Sequence, residues 1–325
     1  MELIRDTQID PTPLAGKRVA VLGYGNQGRA QALNLADSGV DVVVGLRDRS
    51  SSFARVEADG LAALSPGDAA AEADVVMLLA PDECLSSLYL GVAPRLRPGA
   101  ALGFAHGLAI RFGLVVPRAD LAVFMVAPKG PGSALRSLYT EGKGMLALWA
   151  VAQDPSGGAK PLALAYGRAI GCGRAGLLET SFAEECEADL FNEQAVVWGA
   201  VPEILIAGFD TLVEAGVRPE IAYMECVGEL TLLAQLIEKR GIAGMREAIS
   251  NTAELGAVIG GPKIVDQRVR DAMRAILTEV KNGDFAALLK DEEAAGYPRL
   301  RAARDRARTL GVEAARTALE PPRQA

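Results

Sequence analysis

The sequence predicts an α/β fold, an N-terminal Rossmann-type doubly wound sheet followed by an all-helical second domain. Buried-strand patterns alternate with helical segments through the first half, and a GxGxxG turn joins a strong strand to the first helix. After Gly171 to Gly176 the strand pattern stops, and from about Phe182 long helical periodicities take over. The domains are therefore expected at 1–181 and 182–325.

Length and composition fit that division. At 325 residues, half of them hydrophobic, the chain is long enough for two cores. A net charge of −7 argues against nucleic acid as the main partner, while leaving room for a local basic pocket for a phosphate. Cys84, Cys172, Cys186 and Cys226 show neither CxxC spacing nor the density of a disulfide scaffold, so reduced thiols and a cytoplasmic protein are expected, without structural zinc. The opening MELIRDTQIDPTPLAGK lacks the apolar core of a signal peptide, and no run of about 18 apolar residues stands out, so no membrane partner is expected. The polar tail EPPRQA is expected to fray.

Taken in order, KRVAVL from Lys17 reads as a buried strand, and GYGNQG then supplies Gly23, Gly25 and Gly28 before an amphipathic run that ends at Gly39. In such a turn the first Gly bends the chain, the second lets backbone approach a pyrophosphate, and the third lets helix meet strand. The next strand, VDVVVG, is followed by Arg47, where an NAD-selective enzyme usually carries an acid, and then by Asp48, Arg49, Ser50, Ser51 and Ser52. A guanidinium with hydroxyl donors suits a 2′-phosphate, which predicts NADPH; Asp48 is the counter-signal. Further strands are read at DVVMLLA from Asp74, ALGFA from Ala101, LAVFMVA from Leu121 and MLALWAV from Met145. Polar groups follow three of them: Asp82 and Glu83, then His106 in FAHG, then Lys129 in APKGPG. His106 is the sole histidine. The bland alternative for it is a surface or capping residue, but the carboxyl end of a strand favours an active-site role. Lys129 reads either as part of a rigid loop or as a cation aimed into the cleft, and the need to neutralise acids elsewhere favours the cleft.

The second half carries Asp189 and Glu193 in DLFNEQAVVW, and Glu225 and Glu229 in AYMECVGELTLLAQL. Each pair has a four-residue spacing, which on a helix brings two like charges about 5–6 Å apart on one face. Around Glu225 and Glu229 both helical faces are apolar, so a buried helix is expected. Buried carboxylates need a cation or shared protons, and an all-oxygen donor set suits Mg²⁺ before Zn²⁺. The bland alternative is a surface acid pair, of which Asp210/Glu214 is an example.

From GYGNQGRAQALNL through FAHG, MVAPKGPG, DLFNEQ and ECVGEL to ISNTAELG, the chain resembles the short-form (class I) ketol-acid reductoisomerases over nearly its whole length. The resemblance implies two Mg²⁺ ions, with Asp189 bridging them, Glu193 on one, and Glu225 and Glu229 around the other. It implies that Lys129 supports the bridging acid, that His106 lies near the reacting centre, and that His106, Lys129 and Glu229 carry the chemistry. Ser250 is implied to bind the substrate carboxylate, and Arg47, Ser50 and Ser52 match the 2′-phosphate positions. Cofactor contacts are expected from Gly23, Tyr24, Gly25, Gln27, Gly28, Asp82, His106 and Gly132 as well. The helical domains of two subunits are implied to interlock in a homodimer, the partner contributing Glu225, Glu229 and Ser250. The implied reaction is alkyl migration in a 2-hydroxy-2-alkyl-3-ketoacid such as 2-acetolactate, followed by reduction with NADPH to a 2,3-dihydroxyacid.

Departures from the family pattern point to a divergent paralogue. Arg29 replaces a usual His, and Ala109 and Arg111 replace a usual Asn and His. Trp198 stands where a small residue is usual, on the continuation of the helix that carries Glu193, and is expected to meet the substrate. Pro202, Gly228, Glu247 and Leu255 also differ, a pattern that fits a repacked pocket and altered specificity. Two alternatives stand beside this reading: a metal-independent NADP-dependent hydroxyacid dehydrogenase, which chelation would not affect, and a catalytically silent cofactor-binding protein.

Overall fold

The computed structural model describes residues 2–320, so the tail EPPRQA, expected to fray, lies outside the described residues except for Glu320. The chain divides into two compact units, 1–188 and 189–325. In the first, the apolar runs form one sheet of β1 (Leu3–Ile4), β2 (Arg18–Leu22), β3 (Asp41–Gly45), β4 (Ala62–Leu64), β5 (Val75–Leu78), β6 (Ala101–Phe104), β7 (Ala122–Pro128), β8 (Ala147–Gln153) and β9 (Leu177–Glu179). The strand order is β1-β9-β8-β7-β6-β5-β2-β3-β4, and β4 through β7 along that order run parallel. This is the doubly wound arrangement, with its switch point between β2 and β5. β8 turns antiparallel to β7 and carries β9 beside it. All the strands read from the sequence are present; β1, β4 and β9 are too short to show a period.

The crossovers hold α1 (Asn26–Asp37), α2 (Phe53–Ala58), α3 (Pro66–Glu72), α4 (Leu85–Val92), α5 (Leu108–Arg111), α6 (Gly132–Thr140) and α7 (Ala159–Ala169). One sheet face buries Val21, Val44 and Met77 with Leu35 of α1 and Tyr166 of α7. The other buries Leu22, Val76 and Phe104 with Ala69 of α3 and Tyr89 of α4. Each such aliphatic or aromatic side chain contributes roughly 1.5–3 kcal/mol relative to exposure, which fixes the sheet and the strand ends that matter below.

The helical periodicity expected from Phe182 begins with α8 (Phe182–Ala195), and the two compact units divide inside that helix. The second unit continues with α9 (Ala200–Glu214), α10 (Pro219–Tyr223), a π-turn (Met224–Gly228), α11 (Leu230–Ala248), α12 (Asn251–Ile264), α13 (Gln267–Asn282), α14 (Asp284–Ala294), α15 (Pro298–Arg308) and α16 (Gly311–Leu319). Among the described residues its buried hydrophobic side chains, Phe209, Ala222, Val312 and Ala315 in one cluster with Leu190, Ala195, Val280 and Ala286 besides, are few for a unit of that length. The expectation that the helices bearing the acids are buried all round fails for the single chain: Glu193, Glu225 and Glu229 are exposed and Asp189 is half-buried. Their apolar neighbours Met224, Leu232 and Leu233 are exposed as well. An apolar pattern records that burial is needed without recording which chain supplies it.

The stretch Phe182–Glu214 is by length and mean hydropathy apolar enough to cross a membrane, although Glu193, Glu203 and Asp210 break it, so it holds no run of 18 apolar residues. A turn at 196–199 interrupts it, and Glu184, Glu185, Glu187, Asp189 and Glu193 occupy its first part. Backbone groups freed by a turn find no partners in hydrocarbon, so this stretch is poorly built to span.

Candidate active site

β5, β6 and β7 are neighbours in the sheet, so Asp82, His106 and Lys129, which follow them, arrive at one edge. A residue the sequence did not single out joins two of the three. Glu185 of α8 is 1% exposed. Its Oε2 lies 2.9 Å from Nδ1 of His106 and accepts the Gly107 N–H at 2.7 Å, while its Oε1 accepts from Nζ of Lys129 at 2.7 Å. Lys129 thus meets an acid within the first unit, Glu185. The available signal was the four-residue spacing from Glu185 to Asp189, which places both on one face of α8.

A buried carboxylate is costly unless paired and fully hydrogen-bonded, and Glu185 has both kinds of support. Burial pushes its carboxyl up, but the hydrogen bond and charge of His106, followed by Lys129, hold it below the usual range. Burial also pushes His106 down, yet hydrogen bonds with Cys186 and Glu185 carry it up to about 11. The carboxylate of Glu185 against Nδ1 of His106 is an arrangement that favours the protonated imidazole.

Gly107 makes this geometry available. A Cβ there would lie 2.1 Å from the Phe182 carbonyl oxygen at the start of α8. Gly107→Ala is expected to push α8 away from β6, with a stability loss of about 1–3 kcal/mol in urea unfolding and reduced activity.

At the switch point the glycine turn follows β2. Gly23 has φ +106° and lies against the backbone of Leu79, and a Cβ on Gly28 would lie 2.3 Å from the Gly23 carbonyl oxygen. Gly25 caps α1 with no side-chain hydrogen bond and no acid in the first helical turn, and a Cβ on it would meet nothing within 4 Å. The N–H groups of that helix end are suited to an anion. The Gln27 side chain donates to the Gly130 carbonyl at 2.9 Å, and Asn26 Oδ1 accepts the Ser133 N–H at 2.8 Å, fastening the KGPG loop, with Gly132, to the glycine turn. A cavity of about 300 Å³ is lined here by Gly25, Arg29, Arg55, Gly132 and Arg136, among others.

Tyr24 is buried at 4% exposure and its hydroxyl donates to Asp59, so its backbone is what remains for a cofactor. Beyond β3, Arg47 and Asp48 are exposed, Ser50 and Ser52 are half-buried, and the Ser52 N–H donates to Ser50 Oγ. Arg29, expected to add charge near a phosphate, is engaged in a bidentate pair with Asp59. Ala109 is buried, and Arg111 donates from Nε to Glu187 at 2.9 Å, so these departures help seat α5 against α8.

In the second unit, Glu225 lies in the π-turn and Glu229 follows directly at its end. Such turns are rare and recur at functional sites. Ser250 caps α12, its Oγ accepting the Ala253 N–H at 3.2 Å. Trp198 does not continue the helix of Glu193 as expected: α8 ends at Ala195, and Trp198 stands in the turn before α9, 65% exposed.

Comparison with known proteins matches residues 13–176 to the family model described as acetohydroxy acid isomeroreductase, NADPH-binding domain, and residues 182–323 to ketol-acid reductoisomerase, C-terminal domain. A solved NADH-preferring ketol-acid reductoisomerase from an uncultured archean is 42% identical, with a TM-score of 0.95 and 98% of each chain covered. A semialdehyde dehydrogenase NAD-binding protein from Cupriavidus necator is 20% identical, with a TM-score of 0.63, over 82% of this chain and 99% of that one. Pyrroline carboxylate reductase from Plasmodium falciparum is 13% identical, with a TM-score of 0.55, over 83% and 98%. The last two share the fold alone.

Proposed function

The chain belongs to the ketol-acid reductoisomerase family, and on that premise we propose that it is a Mg²⁺- and NADPH-dependent enzyme acting on a 2-hydroxy-2-alkyl-3-ketoacid of the 2-acetolactate type. The product is the 2,3-dihydroxyacid formed by alkyl migration and reduction. The observation that carries the reading is the Glu185 junction, which fixes His106 and Lys129 at adjacent strand ends beside the helix that bears Asp189 and Glu193.

The donor set fits two hard cations. Asp189, Glu193, Glu225 and Glu229 offer only carboxylate oxygens, the chemistry Mg²⁺ prefers. The cofactor fits too, since the uncapped start of α1 and the open approach to Gly25 suit a pyrophosphate, and Arg47, Ser50 and Ser52 suit a 2′-phosphate. When bound, these groups supply charge stabilisation at the substrate oxygens and a hydride. The chain's own residues orient and hold protons. Glu185 keeps a proton on Nδ1 of His106 and fixes the ring, and Lys129 supports the acids of α8. Ser250 holds the substrate carboxylate, and Glu229 joins His106 and Lys129 in the chemistry. Trp198 is assigned to the substrate's alkyl group, where its bulk would alter specificity.

The small core of the second unit and its exposed Met224, Leu232, Leu255 and Ile264 support a homodimer in which each subunit completes its partner's site. A cytoplasmic setting suits the thiols of Cys84, Cys172, Cys186 and Cys226.

The test is a substrate panel with Mg²⁺ and either nucleotide. Turnover of a ketol-acid is expected, abolished by EDTA and restored by Mg²⁺. Hydride transfer that survives chelation would instead establish the metal-independent dehydrogenase, and nucleotide binding without any turnover a silent paralogue. Higher catalytic efficiency with NADH would overturn the NADPH assignment, and 2-acetolactate outperforming every bulkier or more polar ketol-acid would remove the case for altered specificity.

A further inference from the structure

α2 is short and buries one side chain, Val56. The loop from Arg47 to Ser52 runs directly into it, with Ser52 as the N-cap, so the position of α2 sets the position of that loop. At the other end of α2, Asp59 is the C-cap and is fastened twice to the glycine-turn region. Its Oδ2 accepts from the Tyr24 hydroxyl at 2.8 Å and from Nε of Arg29 at 2.6 Å, and its Oδ1 accepts from Nη2 of Arg29 at 2.7 Å. The Asp59 side chain is 15% exposed and that of Arg29 42%. Bidentate pairing to a planar guanidinium fixes direction as well as distance. Tyr24 stands between the first two glycines of the turn, so one carboxylate joins the segment that approaches a pyrophosphate to the helix that carries the loop beyond β3.

We propose that Asp59, held by Arg29 and Tyr24, is a positioning residue for cofactor selection: it fixes α2 over the first turn of α1 and so places Arg47, Ser50 and Ser52 to receive a 2′-phosphate. The inference rests on the reading of those three residues given above. It assigns Arg29, the departure from the family's usual His, to aligning the loop through Asp59 rather than to contacting the cofactor.

The sign of one substitution separates this from a simple charge effect. Asp59→Asn removes a negative charge near an anionic ligand, which by charge alone tightens nucleotide binding. Loss of positioning does the reverse, and selectively. Fluorescence titration of the full-length, Mg²⁺-loaded protein with NADPH and NADH is expected to show Kd for NADPH rising about tenfold in Asp59→Asn, with Kd for NADH changing less than about twofold. Tyr24→Phe, which changes no charge, is expected to move the NADPH/NADH ratio in the same direction by a smaller factor, and it carries the test if Asp59→Asn fails to fold. Equal weakening for both nucleotides, or tighter NADPH binding, overturns the positioning role while leaving the 2′-phosphate reading intact. A wild-type protein that binds NADPH no more tightly than NADH overturns both.

Discussion

Replacing Glu185 with Gln is expected to lower kcat roughly a hundredfold or more, with the nucleotide Kd changing far less. The substitution keeps the shape but removes the charge that two cations share. Glu185 contacts His106 and Lys129 and not the glycine turn, so far-UV circular dichroism is the control for folding, and retained cofactor affinity shows that the glycine turn is intact. The ionisation of His106 gives a second readout. Since it is the sole histidine, an isotope-labelled imidazole gives one signal, expected to stay protonated through neutral pH and titrate toward about 11 in the wild type. In Glu185→Gln that titration is expected to fall well below its wild-type value, because burial is opposed by one anion fewer.

The same pair makes stability depend on pH. The folded pKa of His106 lies above its ordinary 6.5, so its contribution is complete below 6.5 and fades as pH rises toward about 11. The folded pKa of Glu185 lies below its ordinary 4.5, so its contribution is present above 4.5 and fades as pH falls through the depressed value. Together they favour the fold most between 4.5 and 6.5. Urea unfolding across pH is expected to show a flatter profile in Glu185→Gln. A kcat within about twofold of wild type would show that Glu185 serves packing alone.

The first half was legible because its signals are local. A strand buried on both faces is a continuous apolar run, and a glycine turn is a spacing, so β2, β3 and β5 to the carboxyl end of β7, with His106 and Lys129, follow from the sequence. Glu185 was hidden among Glu184, Glu187 and Asp189, because nothing in one dimension shows that Gly107 lets α8 approach β6 closely. Asp59 was hidden for a similar reason: its partners Tyr24 and Arg29 lie a full crossover away. The π-turn at Met224–Gly228 has no composition of its own. Around Glu225 and Glu229 the apolar pattern was read as burial without naming the chain that supplies it, and the chain by itself leaves that surface open.

That open surface leads to the second large effect. Asp189→Asn and Glu229→Gln are each expected to lower activity at least about a hundredfold, since each would remove a carboxylate from the proposed Mg²⁺ donor set, which has no other kind of ligand. Mixing the two inactive proteins distinguishes where the site is built. If Asp189 of one subunit works with Glu229 of the other, a mixed dimer has one site with both defects and one with neither. Random pairing makes half the dimers mixed, so about a quarter of wild-type activity should return on co-expression or refolding together. If each site is built within one chain, every site in the mixture lacks one acid and no activity returns. The small Phe209 cluster and the exposed Met224, Leu232 and Leu233 favour the first outcome, because the apolar surface around the two glutamates needs a cover that the chain does not itself provide. A mixture that stays inactive while differently tagged chains co-purify as mixed dimers would place the whole metal site inside one subunit.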